Sequence, residues 1–165
     1  MKQYLAMDVG GTYVKAAVMD ADAHILCRQP KQPTALESQT ALVNLLEETY
    51  HQATAATMTM IDGIALSVPG VVDEQRGVMH TGGSLFCVQE LPLADCLRQR
   101  RHCPVTLEND AKCATLAEAW QGELSGCQLG IAVIIGTAIG GGIVLNGRVL
   151  HGAHGMTGEF SYLMT

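Results

Sequence analysis

The chain has 165 residues, 48% of them hydrophobic and 4% aromatic, which suffices for one ordinary domain, or one domain and part of a second. A net charge of −6 argues against a surface built to hold nucleic acid or an anionic membrane, and Arg98, Arg100 and Arg101 read as a solvated helix end. No apolar run approaches the roughly 20 residues of a membrane span, and the opening MKQYLAMDVGG lacks the layout of a signal peptide.

Along the chain, residues 4–9 read as a strand, Gly10-Gly11 as a tight turn, and 13–19 as a second strand. A third is expected at 24–28, before the breaker segment 30–33. Thr34 stands three residues ahead of Glu37, a capping-box spacing that predicts a helix start there. Leu42, Leu45, Leu46, Thr49 and Ala53 then share one helical face through about residue 56. Residues 61–68 read as a strand stopped by Pro69-Gly70, and 71–89 as loop. A short helix is predicted over 93–101, a strand over 105–107 and an alanine-rich helix over 111–121. Strands follow at 129–135 and 143–145, and Asn146-Gly147 signals a type I′ hairpin into 148–150. Hairpins followed by helix–strand units predict an α/β fold with a mixed sheet.

The six cysteines (Cys27, Cys87, Cys96, Cys103, Cys113, Cys127) contain no CxxC pair. They read as reduced thiols of a cytoplasmic protein, filling space as small hydrophobes, rather than as a zinc site or a disulfide scaffold.

Three constellations carry chemistry. Asp8-Val9-Gly10-Gly11-Thr12 joins two predicted strands. Its glycines admit close backbone approach to a phosphate, Asp8 could hold Mg²⁺ directly or through water, Thr12 offers a hydroxyl and Lys15 a charge. A plain hairpin accounts for Gly-Gly about as well. Between two β-branched runs, Gly136-Thr137-Ala138-Ile139-Gly140-Gly141-Gly142 places four glycines in seven residues, which looks costly in entropy with no packing return. A second phosphate cradle is the expected explanation. Glu108-Asn109-Asp110 sits where a strand gives way to a helix. There Asp110 is either a helix cap or a general base that takes a proton from a hydroxyl attacking a γ-phosphate. Asn109 has the donor and acceptor that sugar hydroxyls need.

The strings DVGGTYVKAAV, ALSVPGVVDEQRGV, PVTLENDAKCATLAEAWQG and IGTAIGGGIVLNGRVLHGAHGMTGEF, in this order, resemble the ROK family (repressors, open reading frames and kinases) of the actin-like superfamily over nearly the whole chain. The resemblance implies a ribonuclease H-like (actin-like ATPase) domain with a mixed β-sheet over residues 1–118. The first strands of a second, incomplete domain of the same type would occupy 119–165. It implies an ATP-dependent carbohydrate kinase with Mg²⁺ as cofactor. Asp8, Gly10, Gly11 and Thr12 match the first phosphate motif; Gly136, Thr137 and Gly140, Gly141, Gly142 match the second. Asp110 matches the catalytic base, Asn109 a sugar ligand, Ser67, Pro69 and Gly70 the loop lining the sugar pocket, and Glu159 a carboxylate that binds sugar hydroxyls.

Three departures stand out. Tyr162 occupies the position of a histidine that in relatives contacts sugar and helps hold a structural zinc; tyrosine is a poor zinc ligand, so zinc is not expected, and Tyr162 could hydrogen-bond the sugar instead. Residues 81–87 read TGGSLFC, without the asparagine of relatives, which implies a sugar preference different from glucose. The sequence stops at Thr165, and the resemblance would put the adenosine site and zinc loop beyond it. Strands 129–150 would then keep an uncovered edge, which suggests a homodimer. His151 and His154 form an HxxH, read as a substrate-side loop in preference to a metal pair. The resulting expectation is transfer of the γ-phosphate of ATP to a hydroxyl of a hexose or hexose derivative. The other reading, from a different class, is a non-catalytic sugar-binding or regulatory module, or an inactive remnant.

Overall fold

Strict alternation of Leu5, Met7 and Val9 with outward-facing residues makes β1 (Gln3–Val9) the axis around which the first part of the chain assembles. The computed structural model describes residues 2–136 and 138–162. Two compact units divide it, residues 1–108 and 109–165.

In the first unit, β2 (Tyr13–Asp20) runs antiparallel to β1, with Val9 opposite Val14 and Asp8 opposite Lys15. After β3 (Ile25–Arg28), the two-residue β4 (Gln32–Pro33) also pairs with β2. β5 (Gly63–Val68) lies parallel to β1 on its other side, with Asp8 beside Ser67, and β9 (Val105–Asn109) closes the order β3-β2-β1-β5-β9. The mixed sheet expected from the sequence is therefore present, with helices α1 (Gln39–Thr57) and α2 (Leu93–Arg101).

The start of α1 is not where the capping-box spacing put it. Ser38 is the N-cap, and its hydroxyl accepts from the Ala41 N–H at 3.1 Å. Pairing of β4 with β2 holds the chain extended up to Thr34. The Thr34 N–H donates to the Thr12 carbonyl (3.0 Å) and its hydroxyl to the Gly10 carbonyl (2.7 Å), so Thr34 braces the glycine turn instead of starting a helix. The helical face behaves as expected: Leu42, Leu46, Thr49 and Ala53 are buried, joined by Val43. Residues 71–89 are not all loop either. They hold β6 (Val72–Asp73) and β7 (Val78–Thr81), which with β8 (Gln89–Leu91) make a three-stranded sheet. Strands of two to four residues are too short to show a period.

Glu47 joins the two helices by accepting hydrogen bonds from Arg100 and Arg101. Burial alone would raise its pKa, but the two guanidinium hydrogen bonds and charges prevail and hold it below the usual carboxylate range.

In the second unit, α3 (Asp110–Gln121) is followed by β10 (Leu129–Ile135), β11 (Ile139–Leu145) and β12 (Arg148–Val149), in the sheet order β10-β11-β12. Asn146 (φ 52°) and Gly147 (φ 75°) both take the positive φ of the predicted type I′ turn.

β11 corrects the reading of the second glycine run. The strand begins at Ile139, four residues before the expected start, so Gly140, Gly141 and Gly142 lie in the ladder opposite Ile134, Val133 and Ala132. Ahead of the strand, the Gly136 N–H donates to the Ala138 carbonyl at 3.0 Å. The packing return that sequence reasoning denied these glycines is present. A Cβ on Gly140 would sit 2.8 Å from the Ala111 Cβ, and one on Gly142 would sit 2.6 Å from the Thr115 hydroxyl oxygen. One on Gly141 would collide with the Phe160 ring and the Ala132 carbonyl. The three residues let α3 and the 3₁₀ turn Phe160–Tyr162 rest directly on the strand backbone.

Two measurements test this packing. Urea unfolding of Gly142→Ala should show a loss of about 1–3 kcal/mol from overpacking. Gly136→Ala should stay within about 0.5 kcal/mol of wild type, since its Cβ would come no closer than 3.8 Å to the Ala138 carbonyl. Because the Glu47 pKa is depressed on folding, its contribution is present above the unfolded value of about 4.3 and fades as pH falls through the folded one. Glu47→Gln should therefore cost about 1 kcal/mol at pH 7, and the gap to wild type should close under acid.

Candidate functional site

The first unit gathers three of the residues singled out in the sequence. Asp8 is exposed one residue before the end of β1. Its Oδ1 accepts from the Ser67 hydroxyl at 3.1 Å and its Oδ2 from the Lys15 ammonium at 3.2 Å. Both contacts follow from strand register, since β5 puts Ser67 beside Asp8 and β2 puts Lys15 opposite it. The Lys15–Asp8 pair is solvated, with side-chain exposures of 68% and 50%, so it is worth little to stability. An exposed carboxylate oxygen pair suits a hard cation such as Mg²⁺.

The turn after Asp8 is closed by the Gly10 N–H donating to the Tyr13 carbonyl at 3.0 Å. Gly11 lies against Ser84, whose Cβ and Oγ would each be 2.8 Å from an added Cβ. Thr12 is exposed. Beyond β5, Pro69 is buried and Gly70 adopts φ +91°, where a side chain would strike the Thr81 carbonyl. The Val71 N–H donates to the Thr81 hydroxyl at 3.2 Å, fastening the loop after Gly70 to the end of β7. Thr34, Thr81 and Ser84 were missed because their partners lie 10 or more residues away, as in the Thr34–Gly10 separation of 24.

The second unit settles which residue caps α3. Asn109 is the N-cap, buried, with its Oδ1 accepting from the N–H groups of Ala111 (3.0 Å) and Lys112 (3.1 Å). Asp110 is the first helical residue and is exposed, its Oδ1 accepting from the Ala111 N–H at 2.8 Å. The cap is therefore Asn109, and the oxygen once expected to accept from a sugar is committed to the helix end.

Glu159 follows Gly158, which is buried and closely packed on β11: a Cβ there would fall 2.7 Å from the Gly142 Cα. This seats Glu159 at the strand surface with 20% side-chain exposure and brings its Oε1 to 3.4 Å from the Lys112 ammonium. Lys112 is 2% exposed and also donates to the Gly155 carbonyl at 2.9 Å. No motif pointed to Lys112; the available signal was its place on the buried side of α3 with Ala111 and Thr115. Tyr162 ends the 3₁₀ turn and is 71% exposed. Gly136 is exposed in its turn, and Thr137 lies outside the described residues. Among the described residues the one group of three side chains disposed to hold a metal is Asp20, Asp22 and His24, without His151 or His154.

A mixed sheet in the first unit and, after α3, a three-stranded meander in the second make an α/β protein, and its structural neighbours share the actin-like ATPase fold. The chain belongs to the ROK family, whose profile matches residues 4–164. It is 33% identical over 160 residues to N-acetyl-D-glucosamine kinase of Pectobacterium atrosepticum, covering 97% of this chain and 52% of that relative. Among solved structures it resembles a ROK hexokinase from Thermus thermophilus, with TM-score 0.83, 33% identity, and coverage of 99% of this chain and 53% of the other. It also resembles a ROK family glucokinase from Streptomyces griseus, in complex with glucose and AMPPNP, with TM-score 0.87, 26% identity, and coverage of 99% and 51%. The chain spans about half the length of the curated relatives it matches.

Proposed function

We propose that this chain carries the sugar-side and phosphate-side residues of an ATP-dependent sugar kinase that phosphorylates a hydroxyl of a hexose or hexose derivative. The observation that carries the reading is the division of labour at the start of α3: Asn109 caps the helix, and the Asp110 carboxylate is exposed at its first residue. An exposed carboxylate held by the helix N-terminus can take the proton of an attacking hydroxyl, as a general base must. Glu159 would accept from other sugar hydroxyls, Asn109 would donate to one, and Tyr162 is a further candidate donor. Ser67, Pro69 and Gly70 would line the sugar loop of the first unit.

For the nucleotide, Gly11 and Thr12 would present backbone N–H groups and a hydroxyl to phosphate oxygens, with Gly10, whose N–H closes the turn on the Tyr13 carbonyl, shaping the loop beside them. At the second motif, phosphate contact would fall to Gly136 and Thr137, while Gly140 and Gly142 serve it by allowing α3 to approach and Gly141 by seating Phe160. Asp8 would hold Mg²⁺, which when bound neutralises charge on the phosphates. Lys15 would release Asp8 to the cation and remain nearby as a second positive charge. We do not assign a zinc, since a phenol stands where the ligand would be. Six cysteines that form no disulfide among the described residues suit a reducing cytoplasm, where we place the protein. No helix among the described residues is long and apolar enough to cross a membrane. The exposed Ile131, Val133 and Ile135 of β10 support assembly as a homodimer.

Asp110→Asn should lower sugar-dependent ATP consumption by about 10²–10⁴-fold while sugar affinity, read by calorimetry, stays within a few-fold. Turnover unchanged in the variant would remove Asp110 as the base.

A further inference from the structure

We propose that Lys112 is a positioning residue for the sugar-binding carboxylate, holding Glu159 in place through a buried ion pair. The inference rests on the reading of Glu159 as a sugar ligand and adds a residue that the phosphate and sugar motifs do not include.

Lys112 is the third residue of α3, and its side chain turns into the interior of the second unit with 2% exposure. Lysine is almost never buried to this degree without a partner, because removing an ammonium from water costs several kcal/mol. Here the partners are the Gly155 carbonyl at 2.9 Å and the Glu159 Oε1 at 3.4 Å. An apolar side chain of similar volume would fill the same space at lower desolvation cost. What such a side chain would not do is bind two points of the segment that delivers Glu159.

That segment needs such a tie. Between β12 and the 3₁₀ turn the chain has no regular structure, and Gly152, Gly155 and Gly158 all take positive φ. Its backbone bonds include the Leu150 N–H to the Ile143 carbonyl at 2.8 Å, the Thr157 N–H to the His151 carbonyl at 3.3 Å and the Glu159 N–H to the Met156 carbonyl at 3.2 Å. The lysine joins the first turn of α3, where Asn109 and Asp110 stand, to both Gly155 and Glu159. It thereby fixes the carboxylate relative to the base within one unit. Contact with the ammonium also offsets the charge of Glu159. The carboxylate is thus better suited to accept from the neutral hydroxyls of a polyol than to recruit a second cation.

The test is calorimetric titration of the chain with D-glucose and N-acetyl-D-glucosamine, with thermal unfolding run alongside. Lys112→Met should weaken sugar binding about tenfold, equivalent to about 1.4 kcal/mol, and Lys112→Arg should recover part of it. Lys112→Gln, which keeps a donor for Gly155, guards against a variant that does not fold and should fall between the two. The Lys112→Met/Glu159→Gln double variant should bind no more weakly than Glu159→Gln alone. Losses that multiply in the double variant, or a lowered melting temperature with sugar affinity unchanged, would show a merely structural pair and overturn the proposal. If Glu159→Gln weakens binding and Lys112→Met does not, the positioning role alone fails. If Glu159→Gln binds like wild type, or the wild-type chain binds neither sugar, the sugar reading of Glu159 fails and takes the positioning role with it.

Discussion

The two-residue period of β1 governs the first unit. Leu5, Met7 and Val9 are almost completely buried, and Asp8 between them faces out. The burial of those three residues sets the register, and that register, together with pairing to β2 and β5, is what gives Asp8 its neighbours Lys15 and Ser67. A slip of one residue would put Asp8 into the core and the three apolar chains into water. The position of a candidate magnesium ligand is therefore a by-product of hydrophobic burial, at no separate cost in ordering. The turn that follows inherits the same precision, because Thr34 reaches back to Gly10 and Thr12 from a strand paired to β2.

In the second unit the governing constraint is the close approach of α3 to β11. With Gly140 and Gly142 on the strand, only the small side chains of Ala111 and Thr115 lie between the two backbones at the contact. The same closeness has a consequence at the helix start. The N-terminal N–H groups need an acceptor, and a buried Asn109 supplies it at two of them. The Asp110 carboxylate, one residue on, also accepts from the Ala111 N–H and stands exposed. Packing, capping and the placement of the proposed base form one chain of causes.

Much of this was legible in the sequence, and the exceptions share a cause. α2 and β10 occupy the residues that their patterns indicated, since each is a run of consistent local preference. The Asn146-Gly147 turn was equally clear, because two adjacent positive φ values have few sequence solutions. What failed depended on distant partners. Thr34 and Glu37 made a plausible capping box, but β4 pairing claimed Thr34 first. The short strands within 71–89 have no period to detect. Lys112 carried no motif, and the carboxylate that makes sense of it is 47 residues away. Of the candidate site, the residue types and their order were readable; which atoms already had partners was not.

The two glycine-rich strings show why this distinction matters for chemistry. Gly10-Gly11 and Gly140-Gly141-Gly142 look alike as text, yet they serve different ends. Gly10 and Gly11 lie in a turn, where the Gly10 N–H closes the loop on the Tyr13 carbonyl and Gly11 makes room for Ser84. Gly140, Gly141 and Gly142 lie in a strand paired with β10, so their backbones already serve the ladder. If the second string also touches phosphate, the contact must come from residues ahead of the strand, and Gly140 and Gly142 contribute by letting α3 lie close. The carboxylate of Asp110 is carried on that same helix. Replacing Gly140 or Gly142 would thus act on the proposed site by displacing the helix that bears Asp110. A glycine motif read only as a cradle assigns that effect to the wrong end of the chemistry.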